Sequence, residues 1–243
     1  MVANTKKTSN KLLKRFGVNA GRKLFVPKKF DFSTTTEILE FIEDQSFASF
    51  ISNDKGTTRV TAAAIIYNRV ISNDSRFSHE FIGHIAKRNP QVEAIKAGLD
   101  AVALVQGPDA YISPRWNVEN PGLPTWSYLS VQLRGVFDIV TKTDETREVL
   151  SKTIAHLERD AEKPWTLIDA SPKLVEQMMQ HIVAFRFKVE DMQGVKRLNQ
   201  NKSLADRRGI IEGLSTRGDS GAKKIAALML MDFARPLNND SQS

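Results

Sequence analysis

Residues 125–140 read TWSYLSVQLRGVFDIV. Their Val, Leu, Tyr, Trp and Phe content marks one long β-strand, and strand alternation then fixes two faces. Ser127, Leu129, Val131 and Leu133 share a face fit for a core, while Trp126, Tyr128, Ser130 and Gln132 share the other. A face carrying Trp, Tyr, Ser and Gln is unusual for a plain core. It suits a surface that holds a planar polar ligand, or a subunit interface.

The flanking segments alternate irregularly between strand and helix. STTTEILEFIEDQSF predicts a capped helix, with Thr34 and Glu37 at capping-box spacing and an apolar stripe of Ile38, Leu39, Phe41 and Ile42. FASFIS, NDKG and TTRVTAAAIIYN predict a hairpin turning over Asn53 to Gly56, and HEFIGHIA predicts the next strand. VALVQGPDAYIS reads as two strands, about Ala101–Gln106 and Ala110–Ser113, kinked at Gly107-Pro108 and followed by a Pro/Gly-rich loop. Helices are expected from near Asp144 and from Ser171-Pro172, then a final strand or hairpin over VAFRFKVEDMQGVKRLNQN. The remainder reads as two short helices punctuated by Gly213, Gly218 and Gly221. This order argues against a doubly wound parallel sheet and for an α+β antiparallel barrel or sheet with peripheral helices.

Charge separates the chain into a tail and a body. The 243 residues carry a net charge of +7, with 35 basic and 28 acidic side chains. Residues 1–24 hold seven of the basic residues and no acid, so 28 basic residues face 28 acidic ones in the rest. A nucleic-acid-binding domain shows its basic footprint within the fold; here DNA binding is expected only through the tail. That tail reads as a disordered N-terminal extension, with a nucleic-acid-binding arm or a targeting peptide as the other readings. The body is long enough to bury a real core. No apolar run approaches the ~18 residues of a membrane helix. The absence of cysteine excludes disulfides, thiolate nucleophiles and Cys-type zinc sites, and fits a reducing, cytoplasmic setting.

KRNPQVEAIKAG follows the HEFIGHIA strand, with Asn89 as the expected N-cap, Pro90 at the first helical position and Gly98 just past the end. A helix start directs free N–H groups and partial positive charge outward. Lys87 and Arg88 stand immediately before it, which makes a seat for a phosphate; the alternative is two solvated side chains at a strand end. Catalytic signatures are missing. The histidines, His79, His84, His156 and His181, form no i,i+4 pair, and no dinucleotide-binding glycine fingerprint, P-loop or nucleophile elbow occurs.

Four segments, GHIAKRNPQ, QGPDAYISPRW, PTWSYLSVQLRG and RLNQNKSLADRRGIIEGL, resemble in order and spacing the PaiB-type proteins, FMN-binding split-barrel negative transcriptional regulators. The resemblance covers roughly residues 25–233. It implies a split β-barrel related to pyridoxamine-phosphate oxidases and flavin reductases, forming a homodimer with FMN at the subunit interface. Behind the basic extension over 1–24 that the charge marks, a barrel is expected over 25–200 and a helical segment over 201–235 packed on the barrel. FMN phosphate would sit on Lys87 and Arg88, with Tyr111, Ser113 and Trp116 at the barrel edge and the isoalloxazine against the Trp126, Tyr128 and Gln132 face. His84 is the axial-ligand candidate of a haem-binding reading on the same barrel. Departures also stand out. Asp109 and Asn117 occupy positions where the family often shows His and Tyr, Ser127 replaces an Asn and Gln132 a His. A weakly oxidoreductive flavoprotein and a cofactor-free dimeric regulator or interaction protein are both open at this point.

Overall fold

A computed structural model describes residues 26–32, 34–69 and 74–234. The basic stretch 1–24 lies outside the described residues. Seven strands form one antiparallel sheet: β1 (Phe47–Asp54), β2 (Thr57–Ala64), β3 (Ile66–Asn68), β4 (His79–Ala86), β5 (Asp100–Ile112), β6 (Thr125–Ile139) and β7 (Ile182–Arg197). Six α-helices accompany it: α1 (Thr35–Gln45), α2 (Val92–Lys96), α3 (Thr143–Leu157), α4 (Pro172–Met179), α5 (Leu204–Arg217) and α6 (Ser220–Ala234).

The strand order is β2-β1-β5-β6-β7-β4-β3. The outermost strands, β2 and β3, are separated in the chain by Ile65 alone. One bent segment therefore supplies both edges, and the sheet must curl until those edges meet. Ile65 is fully buried, and its N–H donates to the Ser46 carbonyl at 3.0 Å, which anchors the bend. Beyond the bend, β2 runs beside β4 without a hydrogen-bonded ladder. That unzipped seam is the split of a split barrel. At the seam the backbones approach closely: a Cβ on Gly83 would stand 2.7 Å from the Ala64 carbonyl oxygen.

The barrel is filled as the alternation of β6 predicts, with Leu129, Val131 and Leu133 buried. At its centre Phe50, Phe137, Phe185 and Phe187 pack with ring centroids 5.2–5.7 Å apart, mostly edge-on or tilted. The β1–β2 hairpin turns through Lys55 and Gly56, both at positive φ, and Asn53 Oδ1 accepts from the Gly56 N–H at 3.0 Å. Thr34 caps α1 by accepting the Glu37 N–H at 3.2 Å.

Three expectations need correction. The Gly107-Pro108 kink does not divide two strands; β5 is continuous and carries a bulge between Gln106 and Asp109. Of the final strand or hairpin, the strand reading holds: β7 is a single strand of sixteen residues. The expected helix at Asn89 begins only at Val92 and spans five residues. Asn89 instead folds a turn, its Oδ1 accepting from the Gln91 N–H at 2.9 Å. The two C-terminal helices are long rather than short, at 14 and 15 residues. Gly218 at φ +81 separates them, but Gly213 and Gly221 lie inside. Ile210, Leu214, Ala222, Ile225 and Met229 join the same core as the barrel.

Candidate functional site

The seam gathers a connected group of polar side chains. Thr61 on β2 donates to Asn89 Oδ1 at 3.2 Å, bridging to the turn that follows β4. Gln91, 1% exposed, donates its Nε2 to Ser52 Oγ at 3.1 Å and to the Phe50 carbonyl at 3.3 Å. Ser52 is the cross-strand partner of Arg59. Arg59 and Thr61 share the core-side parity of β2 with buried Ala63. Two atoms of this group, Arg59 Nε and Gln91 Oε1, are buried and have no partner among the described residues. Buried polar atoms are normally satisfied. Arg59 Nε is a donor and Gln91 Oε1 an acceptor, and both are left open. Lys87 and Arg88, both exposed, extend from the same turn. The short helix α2, five residues long, contributes no anion-binding terminus.

A second set of candidates lies on the outer sheet face of the β5–β6 hairpin. Tyr111 and Trp126 are cross-strand partners whose rings meet edge-on at 6.1 Å, and Trp126 is 54% exposed. Tyr128 pairs with Asp109 and Arg197, and Gln132 pairs with Leu104 and Gln193. The face continues as rows of small and apolar side chains, Val60–Ile51–Val102 and Ala62–Ser49–Leu104–Gln132. Phe47 and Val60 are among its exposed members. Ser113 acts locally, where its hydroxyl accepts the Arg115 N–H at 3.3 Å and caps the 3₁₀ turn Pro114–Trp116. Ser127, on the opposite face, is fully buried and accepts from Asn199 Nδ2 at 2.8 Å.

Arg59 and the Tyr111–Trp126 pair lie far apart within one chain. Arg59 aligns through Ser52 and Ala101 with Gly135 of β6. Gly135 is nine residues from Trp126, which is roughly 30 Å along a strand. His84 belongs to neither set. It faces outward from β4 with Ile82, opposite Ala184, on the side where α3 packs. Burial pushes its imidazole below the ordinary histidine range, and its Nδ1 is buried without a partner among the described residues. No cluster of His, Asp or Glu able to hold a metal occurs among the described residues. Arg59, Thr61 and Gln91 were not singled out by sequence motifs. The signal available was parity, since Arg59 sits where alternation from Ala63 demands an inward side chain.

A seven-stranded antiparallel barrel split along one seam, with six accompanying helices among the described residues, defines a class by its fold: the split β-barrels. Within that class, the chain belongs to the family described as "Putative FMN-binding domain", whose model matches residues 24–191. It is 32% identical over 207 residues to the protease synthase and sporulation protein PAI 2 of Bacillus subtilis, covering 85% of this chain and 96% of that protein. Among solved structures it is similar to the flavocytochrome Anf3 of Azotobacter vinelandii, with a TM-score of 0.52 at 12% identity, covering 73% of this chain and 74% of that one. It is also similar to the FAD and heme binding protein of Mycobacterium smegmatis, with a TM-score of 0.50 at 15% identity, covering 69% and 73%. No described helix is long and apolar enough to cross a membrane.

Proposed function

We propose that the chain is an FMN-binding split-barrel protein of the PaiB regulatory type, acting as a cytoplasmic homodimer with FMN between its subunits. The observation that carries this reading is the unsatisfied pair in the seam, Arg59 Nε and Gln91 Oε1. The ribityl-phosphate arm of FMN presents hydroxyls and a dianion, the two chemistries that pair leaves open. Lys87 and Arg88 would add charge to the phosphate seat, and Thr61 and Asn89 would border it. Bound flavin supplies hydride and one-electron transfer, and the protein tunes it by what lies around the ring.

The separation of roughly 30 Å between the seam and the Tyr111–Trp126 pair exceeds the length of an extended FMN. One chain's seam and its own aromatic pair therefore cannot border one ligand. A two-fold pairing through the outer face lets one subunit's seat and its partner's Tyr111, Trp126, Tyr128 and Gln132 do so. The half-apolar rows on that face are what such an interface needs.

The test is an absorbance spectrum of the purified protein followed by fluorescence titration with FMN. Saturation near one FMN per subunit is expected. Lys87→Ala with Arg88→Ala should abolish retention. Arg59→Met should also release FMN, yet leave the flavin-free protein unharmed or up by about 1 kcal/mol, because it removes a partnerless buried donor. A protein that ignores FMN, or an Arg59→Met variant that loses stability while keeping it, would refute the assignment.

A further inference from the structure

Below the barrel, where β4 and β6 end and β7 and α3 begin, lies an open cleft of about 580 Å³. This is within the range of small-molecule sites. Pairing at the strand ends builds its floor. Ala86 and Ile85 of β4 pair with Ile182 and Val183, while Ile139 pairs with Phe185 and the Val140 N–H donates to the Ala184 carbonyl at 3.0 Å. The floor is consequently apolar: Ile139, Val140, Ile182, Val183 and Ala184, with Met179 closing it from α4.

The rim has a different character. Lys87, Lys96 and Arg147 stand around it with a single acid, Glu176. Lys96 pairs with Glu93 at 3.0 Å. Lys87 and Arg147 have no ion-pair partner among the described residues, although acids elsewhere on this surface are paired. Lys87 is held over the cleft by its own N–H, which donates to the His181 carbonyl at 2.8 Å. Arg147 projects from the first turns of α3 on the side of Thr143 and Thr146, which also line the cleft. Lys142, the residue preceding α3, offers no side-chain cap, so partial positive charge at that helix start adds to the two free cations. Asp144 and Glu145 do not line the cleft, and Glu145 is engaged with Lys142 and Arg186.

We infer that this cleft binds an amphipathic anion, a carboxylate or phosphate headgroup on a short apolar tail. The headgroup meets Arg147, with Lys87 beside it, and the tail lies on Ile139, Val183 and Met179. The site is separate from the flavin seat except for Lys87, so occupancy of the cleft is coupled to the seam through one side chain.

The test uses sodium octanoate, octyl phosphate, octanol and octylamine, titrated into the full-length protein and followed by ¹H–¹⁵N chemical shifts. Octanoate or octyl phosphate should saturate, with shifts concentrated at Thr143, Thr146, Gln180 and Val183; which of the two does so distinguishes the headgroup. Arg147→Glu should weaken that anion roughly tenfold or more, and Glu176→Gln should tighten it. Flavin content should be unchanged in both variants, which keeps a failure here distinct from a failure of the FMN assignment. The inference falls if octanol or octylamine binds as well as the anions, if neither anion saturates, or if Arg147→Glu leaves affinity unchanged.

Discussion

Asp206 shows how a single carboxylate holds a loop in place. It is 1% exposed and opens α5, where its N–H donates to Ser203 Oγ at 3.2 Å. Its side chain accepts the N–H groups of Val118 at 2.7 Å, Glu119 at 2.8 Å and Asn120 at 3.4 Å, and also Asn120 Nδ2 at 3.2 Å. Those donors, the Glu119 N–H first, lower its carboxyl from 3.8 to about 2. A folded-state value below the unfolded one means that protonation favours unfolding. The stabilisation is complete above about pH 4 and is lost as pH falls toward about 2. Urea midpoints measured from pH 5 to 2 should therefore drop steeply in the wild type and less in Asp206→Asn, which starts lower. Equal slopes in the two proteins would assign acid sensitivity to other carboxylates. None of this is legible in the sequence, because the loop partners lie 86 to 88 residues away in the chain. Local periodicity carries no information on such a contact.

Elements were legible where their pattern was local and failed where another element set the constraint. The faces of β6, the Lys55-Gly56 turn and the Thr34 cap all follow from neighbouring residues. The glycines of the C-terminal region do not. Gly213 reads as a helix break, yet it lies within α5 because the Trp116 ring packs onto it: an added Cβ would stand 2.3 Å from that ring. Gly221 has the same role in α6, against the Asp109 carbonyl oxygen at 2.4 Å. A glycine chosen for a close approach cannot be distinguished by sequence from one chosen for a turn. The two origins predict opposite outcomes. Propensity alone favours Ala in a helix by about 1 kcal/mol, whereas a clash in a packed core costs about 1–3 kcal/mol. Gly213→Ala should therefore destabilise, lowering the denaturation midpoint despite the better helix former. A rise in the midpoint would show that Trp116 gives way without loss.

Closure of the barrel is a property of the whole chain. Helices and strands in irregular order indicated an antiparallel sheet, and resemblance supplied the split barrel. That β2 and β3 would stand at opposite edges, bent at Ile65, depends on pairings up to 110 residues apart. The same closure explains why the candidate site divides. Curling turns one sheet face inward, carrying Arg59 toward the seam, and leaves Val102, Leu104, Tyr128 and Gln132 on the outside. If those outer rows join two subunits around FMN, one substitution must break two properties together. Leu104→Glu places a charge opposite Gln132, in the middle of the outer face and away from every buried contact of the barrel. It should leave the fold intact by circular dichroism, convert the dimer to monomer by sedimentation, and release FMN although the seam is untouched. A monomer that still holds FMN would confine the flavin to one chain, and a dimer that keeps it would move the interface to another face.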